Sequence, residues 1–193
     1  MSNTFQLCLA SASPRRQAIL KAFSVPFRCI QHQFDEQSVS PDDFSTSAKY
    51  VRHLAKQKAL STQEGHHWVL AADTIVVHQN RILGKPRDHN EAFQYLSALN
   101  NDCHQVMTAF CLYNQALNKH VCQLNKSQVC FNDLSDSDLK HYINTFKPFD
   151  KAGAYGIQEV PTHFIRSFSG SKYTIIGLNI KSVLKRIKHI QSL

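Results

Sequence analysis

Three short segments hold the residues whose types and spacing could do chemistry: Ser11-Ala-Ser-Pro-Arg-Arg16, Ala72-Asp-Thr74 and Asp150-Lys-Ala-Gly-Ala-Tyr-Gly-Ile-Gln158. The first puts two hydroxyls and two guanidinium groups where a strand would turn into a helix. Free amides and the helix dipole at such a turn favour an anion, and arginine forks match phosphate oxygens. An ordinary capped helix with exposed arginines reads the same residues equally well. The second segment sets Asp73 after a mostly apolar run and before Ile75-Val-Val77. A carboxylate there is costly unless it is paired, ligates a metal or opens into a site. The plainer alternative is a strand-end aspartate capping a turn. The third segment spaces Gly153 and Gly156 three apart, which allows backbone to approach a ligand closely, and ends in the amide of Gln158.

Two lysines join this set. Val51, Leu54 and Ala55 mark an apolar helical stripe that Lys58 continues. A lysine there either snorkels at the helix end or points into a cleft. Lys85 stands between Gly84 and Pro86, which fix the backbone around it, though a turn lysine is the simpler reading. Glu36 lies beside Asp35 in a polar loop that could equally be a solvated acidic patch. Gly84-Lys85 is not a phosphate-binding P-loop, because proline follows the lysine. The eleven histidines show no metal-binding spacing, and none is assigned as a ligand.

The elements that must carry these residues can be read from periodicity and punctuation. Phe5–Ala10 alternates as a strand, Ser13 and Pro14 open a helix to Phe23, and Phe27–Ile30 is a second strand. A helix runs from Ser47 to Leu60. Trp68–Ala72 is a buried strand, and Thr74–His78 pairs with Arg81–Leu83 around Gln79-Asn80. Asp88 and Glu91 form a capping box for a helix to Leu99. Strands follow at His104–Tyr113 and Val121–Phe131, and Ser135 with Asp138 caps a helix to Thr145. A strand from His163 to Phe168, a Ser169-Gly170 turn, a strand to Ile176 and a last helix close the chain. Mixed helices and strands with hairpins and crossovers predict an α/β fold with a mixed central sheet flanked by helices. The expected organisation is a single domain over residues 1–193, with two lobes around an active-site cleft.

With 193 residues and 42% hydrophobic content the chain can bury a real core. No apolar run is long enough to span a bilayer and no leader pattern opens the chain, so the expectation is a cytoplasmic protein with no membrane partner. The six cysteines are scattered singly, with no C-x-x-C pair, and are expected to be reduced and structural. The net charge of +8 raises the question of nucleic acid. The basic residues are spread along the chain with no aromatic interleaving, so no nucleic-acid partner is expected. The C-terminal cluster Lys181, Lys185, Arg186 and Lys188 reads as the solvated face of the last helix.

Taken jointly, S-x-S-P-R-R, A-D-T, G-K-P and D-K-A-G-A-Y-G-I-Q resemble the Maf family of nucleoside triphosphate pyrophosphatases, over nearly the whole chain. The last motif resembles the branch acting on dTTP and UTP. The resemblance implies hydrolysis of a pyrimidine nucleoside triphosphate to monophosphate and pyrophosphate, with Mg²⁺ or Mn²⁺ as cofactor, and it allows a homodimer. It implies roles by position. Asp73 would accept the proton and share the metal with Glu36. Ser11, Arg15, Arg16, Lys58 and Lys85 would hold the triphosphate. Arg15, Thr74 and Gln158 would set base specificity. The chain departs from the family pattern at Gln57 and Lys147, where glutamate is common, and at Asn179, where proline is common. The alternatives carried beside this reading are an inosine or xanthosine triphosphate pyrophosphatase, and a nucleotide-binding regulator of septum formation.

Overall fold

Leu7–Ala10 (β1) is buried at every residue, although its sequence alternates. It lies between two parallel neighbours, Phe27–Ile30 (β2) and Trp68–His78 (β3). Parallel strands are covered on both faces, so the alternation of a half-exposed strand does not apply. The structure is a computed structural model that describes residues 7–65 and 67–192. The first two residues of the expected opening strand lie outside that range.

The sheet is mixed and has seven strands in the order β2-β1-β3-β5-β6-β7, with β4 (Arg81–Leu83) pairing β3 antiparallel. Here β5 is Cys103–Asn114, β6 is Lys119–Phe131 and β7 is Ile165–Ser169. The helices are α1 (Pro14–Ala22), α2 (Ser47–Leu60), α3 (His89–Leu99), α4 (Asp136–Phe146), α5 (Lys172–Ile176) and α6 (Ile180–Gln191). This is the mixed α/β architecture that the pattern predicts. The caps account for most boundaries. Pro14 opens α1 at a position where its missing N–H costs nothing. Thr46 accepts from the Lys49 amide ahead of α2, and the Ser135–Asp138 box closes ahead of α4. Asn179 N-caps α6 by accepting from the Ser182 amide at 3.2 Å. Lys147 takes the left-handed conformation at the C-cap of α4, with φ 44°.

Three expectations are corrected. The strand through Ala72 does not stop at Asp73: β3 is one continuous ladder of eleven residues, so the carboxylate sits within the strand. The Glu91 side chain does not close a box on Asp88. It accepts instead from the Arg87 backbone N–H at 2.7 Å and from Arg87 Nε at 3.0 Å. Residues 172–176 are helical, not extended, despite the β-branched run Thr174-Ile-Ile176. Gly170 turns the chain at φ +89°. Ser127 Oγ then accepts from the Ser171 N–H and donates to its carbonyl, both at 3.0 Å. The turn is thus fixed, and α5 buries Thr174 and Ile175.

The chain divides into two compact units that interleave in sequence. The first comprises 1–73, 108–125 and 177–193, and the second 74–107 and 126–176. Each has its own core. In the first, Cys8, Ala10, Ala59, Val69, Ala71 and Cys111 cluster, with Val51 and Leu54 of α2 also buried. In the second, Leu96, Leu99, Phe131, Leu139, Tyr142 and Phe164 are the large members of a wider cluster. Burying one such side chain is worth about 1.5–3 kcal/mol.

The expectation of six reduced cysteines is also corrected. Cys103 pairs with Cys130 and Cys111 with Cys122, each with Cα atoms 4.0 Å apart. Both bridges join the neighbouring strands β5 and β6 and share one antiparallel register. Eight residues forward on β5 is eight residues back on β6. Only a hairpin register brings such spacings together, which is why no local cysteine motif signals them. Cys8 and Cys29 are free. Titration of the denatured chain without reductant is therefore expected to find two thiols, rising to six after reduction. Six before reduction would mean that the cross-strand cysteines are merely adjacent.

Candidate functional site

In the first unit, the turn from β1 into α1 carries Ser11, Arg15 and Arg16. Ser11 is buried, and its Oγ accepts from the Ser13 N–H at 3.3 Å and from Arg16 Nη1 at 3.0 Å. Arg16 Nε donates to the Gly177 carbonyl at 2.9 Å, which ties the turn to the segment before α6. Ser13 occupies the N-cap without a side-chain bond to the first-turn amides. Those donors and two guanidinium groups lie at the positive end of the helix dipole. Burial pulls the Arg16 guanidinium below its ordinary value, Asp73 and Glu36 push it back up, and Arg15 lowers it further. Arg16 thus feels both site carboxylates.

Those carboxylates meet on one atom. Lys58 Nζ donates to Asp73 Oδ1 at 2.6 Å and pairs with Glu36 Oε2 at 2.7 Å. The Lys58 side chain is 6% exposed, Asp73 14% and Glu36 44%. The helical stripe decides this placement: Lys58 follows Val51, Leu54 and Ala55 on the buried face of α2. Lys58 does not snorkel out at the helix end: its ammonium is buried against the two carboxylates. Glu36 opens a short 3-10 turn capped by Asp35, whose Oδ1 accepts from the Gln37 N–H at 2.9 Å.

Two residues near this group were not singled out from the sequence. Tyr50 has its phenol raised by burial, by Asp73 and by Glu36. His32 is lowered by burial and by Lys58, and its buried Nδ1 has no hydrogen-bond partner. Tyr50 stands at i−8 from Lys58 on α2, a spacing that could have drawn attention to it. His32 carried no such signal.

The second unit holds Thr74, Lys85 and Gln158. Thr74 directly follows Asp73 on β3. Lys85 and Gln158 are exposed. The Gly84 carbonyl accepts from the Gly153 N–H at 3.0 Å, so the Gly-Lys-Pro turn and the glycine loop are joined through their backbones. The loop is anchored at several points. Buried Lys151 bridges Asp150 at 2.7 Å and Glu159 at 3.0 Å. The Gly156 N–H donates to Tyr142 Oη at 3.2 Å. Tyr155 Oη and His104 Nε2 share a hydrogen bond of 2.7 Å. Burial pulls His104 down to about 3, so it is neutral at physiological pH. Lys151 and His104 carried no role in the sequence reading. Both act as ties that fix the loop before Gln158.

The two glycines answer a packing demand inside this unit. Gly153 sits at φ +67°, and a Cβ there would meet Val76 Cγ2 at 2.9 Å. A Cβ on Gly156 would meet the Lys151 stem at 3.1 Å.

The family model described as Maf-like protein matches residues 6–190. The chain belongs to the Maf family. Among Maf relatives it is 38% identical over 178 residues to a dTTP/UTP pyrophosphatase of Alkaliphilus oremlandii, covering 91% of each chain. It is 38% identical over 184 residues to one from Halalkalibacterium halodurans, covering 94% of each. It is 36% identical over 185 residues to one from Bacillus cereus, covering 95% of this chain and 94% of that one. Among the described residues, no helix of this Maf chain is long and apolar enough to cross a membrane.

Gly153→Ala should destabilise the protein by about 2–4 kcal/mol, combining left-handed strain with overpacking against Val76. Urea unfolding measures it, and an unchanged midpoint would mean that the loop does not pack as described.

Proposed function

We propose that this chain hydrolyses dTTP and UTP to the nucleoside monophosphate and pyrophosphate. The observation that carries the reading is the convergence of Asp73 and Glu36 on Lys58, in the same unit as the Ser11–Arg16 anion turn. The names of its Maf relatives support the substrate class. The carboxylate pair fits a divalent metal, Mg²⁺ or Mn²⁺. A single cationic atom already lies within 2.7 Å of both groups, and hard cations take carboxylate and phosphate oxygens. When bound, such an ion neutralises charge on the triphosphate and polarises the α-phosphoryl group.

The chain's own residues do the rest. Ser11, the α1 amides, Arg15 and Arg16 bind phosphate oxygens and oppose the charge that grows on departing pyrophosphate. Lys58 neutralises the carboxylates while the site is empty and turns to a phosphate oxygen when triphosphate enters. Lys85 supplies a further cation from the Gly-Lys-Pro turn. Asp73, released from Lys58, takes the proton from the water that attacks the α-phosphorus. The bond from that phosphorus to the bridging oxygen breaks, and pyrophosphate leaves with the bridging oxygen.

Arg15, Thr74 and Gln158 set base preference on this reading. Uracil and thymine present acceptor, donor and acceptor along one edge, and the Gln158 amide offers one donor and one acceptor. The ties through Lys151, Tyr142 and His104 would hold the amide in one orientation. A site built for that edge rejects others because its own polar groups go unpaired.

A pyrophosphate-release assay with dTTP, UTP, CTP, ATP and ITP tests the proposal. The values of kcat/KM for dTTP and UTP should exceed those for ATP and ITP by at least about tenfold, the worth of roughly one hydrogen bond. A preference for ITP would overturn the substrate assignment, and no metal-stimulated release from any nucleotide would overturn the activity.

A further inference from the structure

The +8 charge is not shared evenly. The first unit holds thirteen Lys and Arg against six Asp and Glu, an excess of seven, and the second holds nine against eight, an excess of one. Much of the first unit's excess lies away from the Lys58 group. Lys49, Arg52 and Lys56 follow one another at helical spacings of three and four, so they share one flank of α2. Lys58, two residues beyond Lys56, points to the opposite, buried face.

That flank walls a groove of about 610 Å³ whose other side is the start of β6. The half-buried Phe44, Val121 and Cys122 are the apolar part of its lining, its floor, and the three cations, of which Lys49 and Arg52 are exposed, are its rim. The imidazoles of His53 and His120 complete the lining. No carboxylate lines it. Among the described residues, neither Arg52 nor Lys56 pairs with an acid, and Lys49 Nζ donates only to Ser45 Oγ at 2.9 Å. Like charges one helical turn apart repel unless an anion lies between them. The floor is fixed before anything binds. Phe44 packs on His53 at 5.0 Å and on Tyr50 at 5.5 Å, and the Ser40–Asp43 capping box holds the turn that precedes it.

We propose that this groove binds a second nucleoside phosphate, its base on the Phe44 floor and its phosphates on the Lys49–Arg52–Lys56 rim. An apolar floor with a cationic rim suits a ligand that is a flat ring at one end and a polyanion at the other. The volume suits one small molecule. A nucleic-acid strand would want a series of stacking rings along a basic track, and the groove offers one aromatic floor. The proposal stands independently of the catalytic reading, since it uses none of the residues assigned to turnover.

The test is calorimetric titration of the full chain with α,β-methylene-UTP, a probe that cannot be cleaved at the α–β bridge. Two bound equivalents are expected. Arg52→Glu/Lys56→Glu should weaken one of them at least tenfold and leave dTTP turnover at saturation unchanged. His120→Glu, on the other wall, should weaken the same one. If the chain binds a single equivalent and these variants abolish it, the groove stands and the catalytic reading fails. If a single equivalent survives them, the groove proposal is overturned. Inorganic pyrophosphate binding the groove as tightly as the nucleotide would overturn the role of the floor. An oligouridylate binding far more tightly than the mononucleotide would overturn the small-molecule assignment in favour of an RNA strand.

Discussion

A single ammonium group, Lys58 Nζ, lies within hydrogen-bonding distance of two carboxylates, 2.6 Å from Asp73 and 2.7 Å from Glu36. Burying the Lys58 or the Asp73 charge alone would cost several kcal/mol. Together they are tolerable, and only where three elements meet in register. The stripe of α2 must point Lys58 inward, β3 must run unbroken through Asp73, and the turn at Glu36 must fold back on the helix. Two of these demands are met by local caps, Thr46 ahead of α2 and Asp35 at the Glu36 turn, and β3 runs as one strand from Trp68 to His78. The cluster is a packing solution in which one ammonium group holds both carboxylates.

The second unit fixes the loop that leads to Gln158. Gln158 is at the surface, yet the loop before it is tied down by a buried lysine, a tyrosine hydroxyl, a neutral histidine and the Gly84 carbonyl. The glycines that punctuate this loop invite a reading as ligand-facing backbone. Their surroundings are Val76 and Lys151. The absence of a Cβ there brings the loop against its own core.

Much of this was legible in the sequence, for reasons that differ by residue. The bounds of α2 and the inward face of Lys58 follow from a stripe of period 3.6, which a buried helix cannot avoid showing. Asp73 was conspicuous because a charge in an apolar strand has to be explained. The hairpin was readable from two apolar runs flanking the polar pair Gln79-Asn80, and both residues of the turn take positive φ, 45° and 64°. Other features lay beyond local pattern. The helix at 172–176 is imposed by a turn that Ser127 holds from more than forty residues away, against the propensity of Thr174-Ile-Ile176. The cysteine pairs depend on hairpin register, and the concentration of charge in one unit depends on how the chain is divided. Lys151 and His104 are tertiary ties with no signature of their own.

The most direct test of the account is a double-mutant cycle on Lys58 and Asp73, read by urea unfolding of Lys58→Met, Asp73→Asn and the double variant. Removing the lysine leaves two carboxylates facing one another, and should cost about 3–5 kcal/mol. Adding Asp73→Asn in that background should recover part of the loss, giving a coupling of at least about 1 kcal/mol. Costs that add to within about 0.5 kcal/mol would contradict it, because the two side chains would then not share the charge on which the site is built.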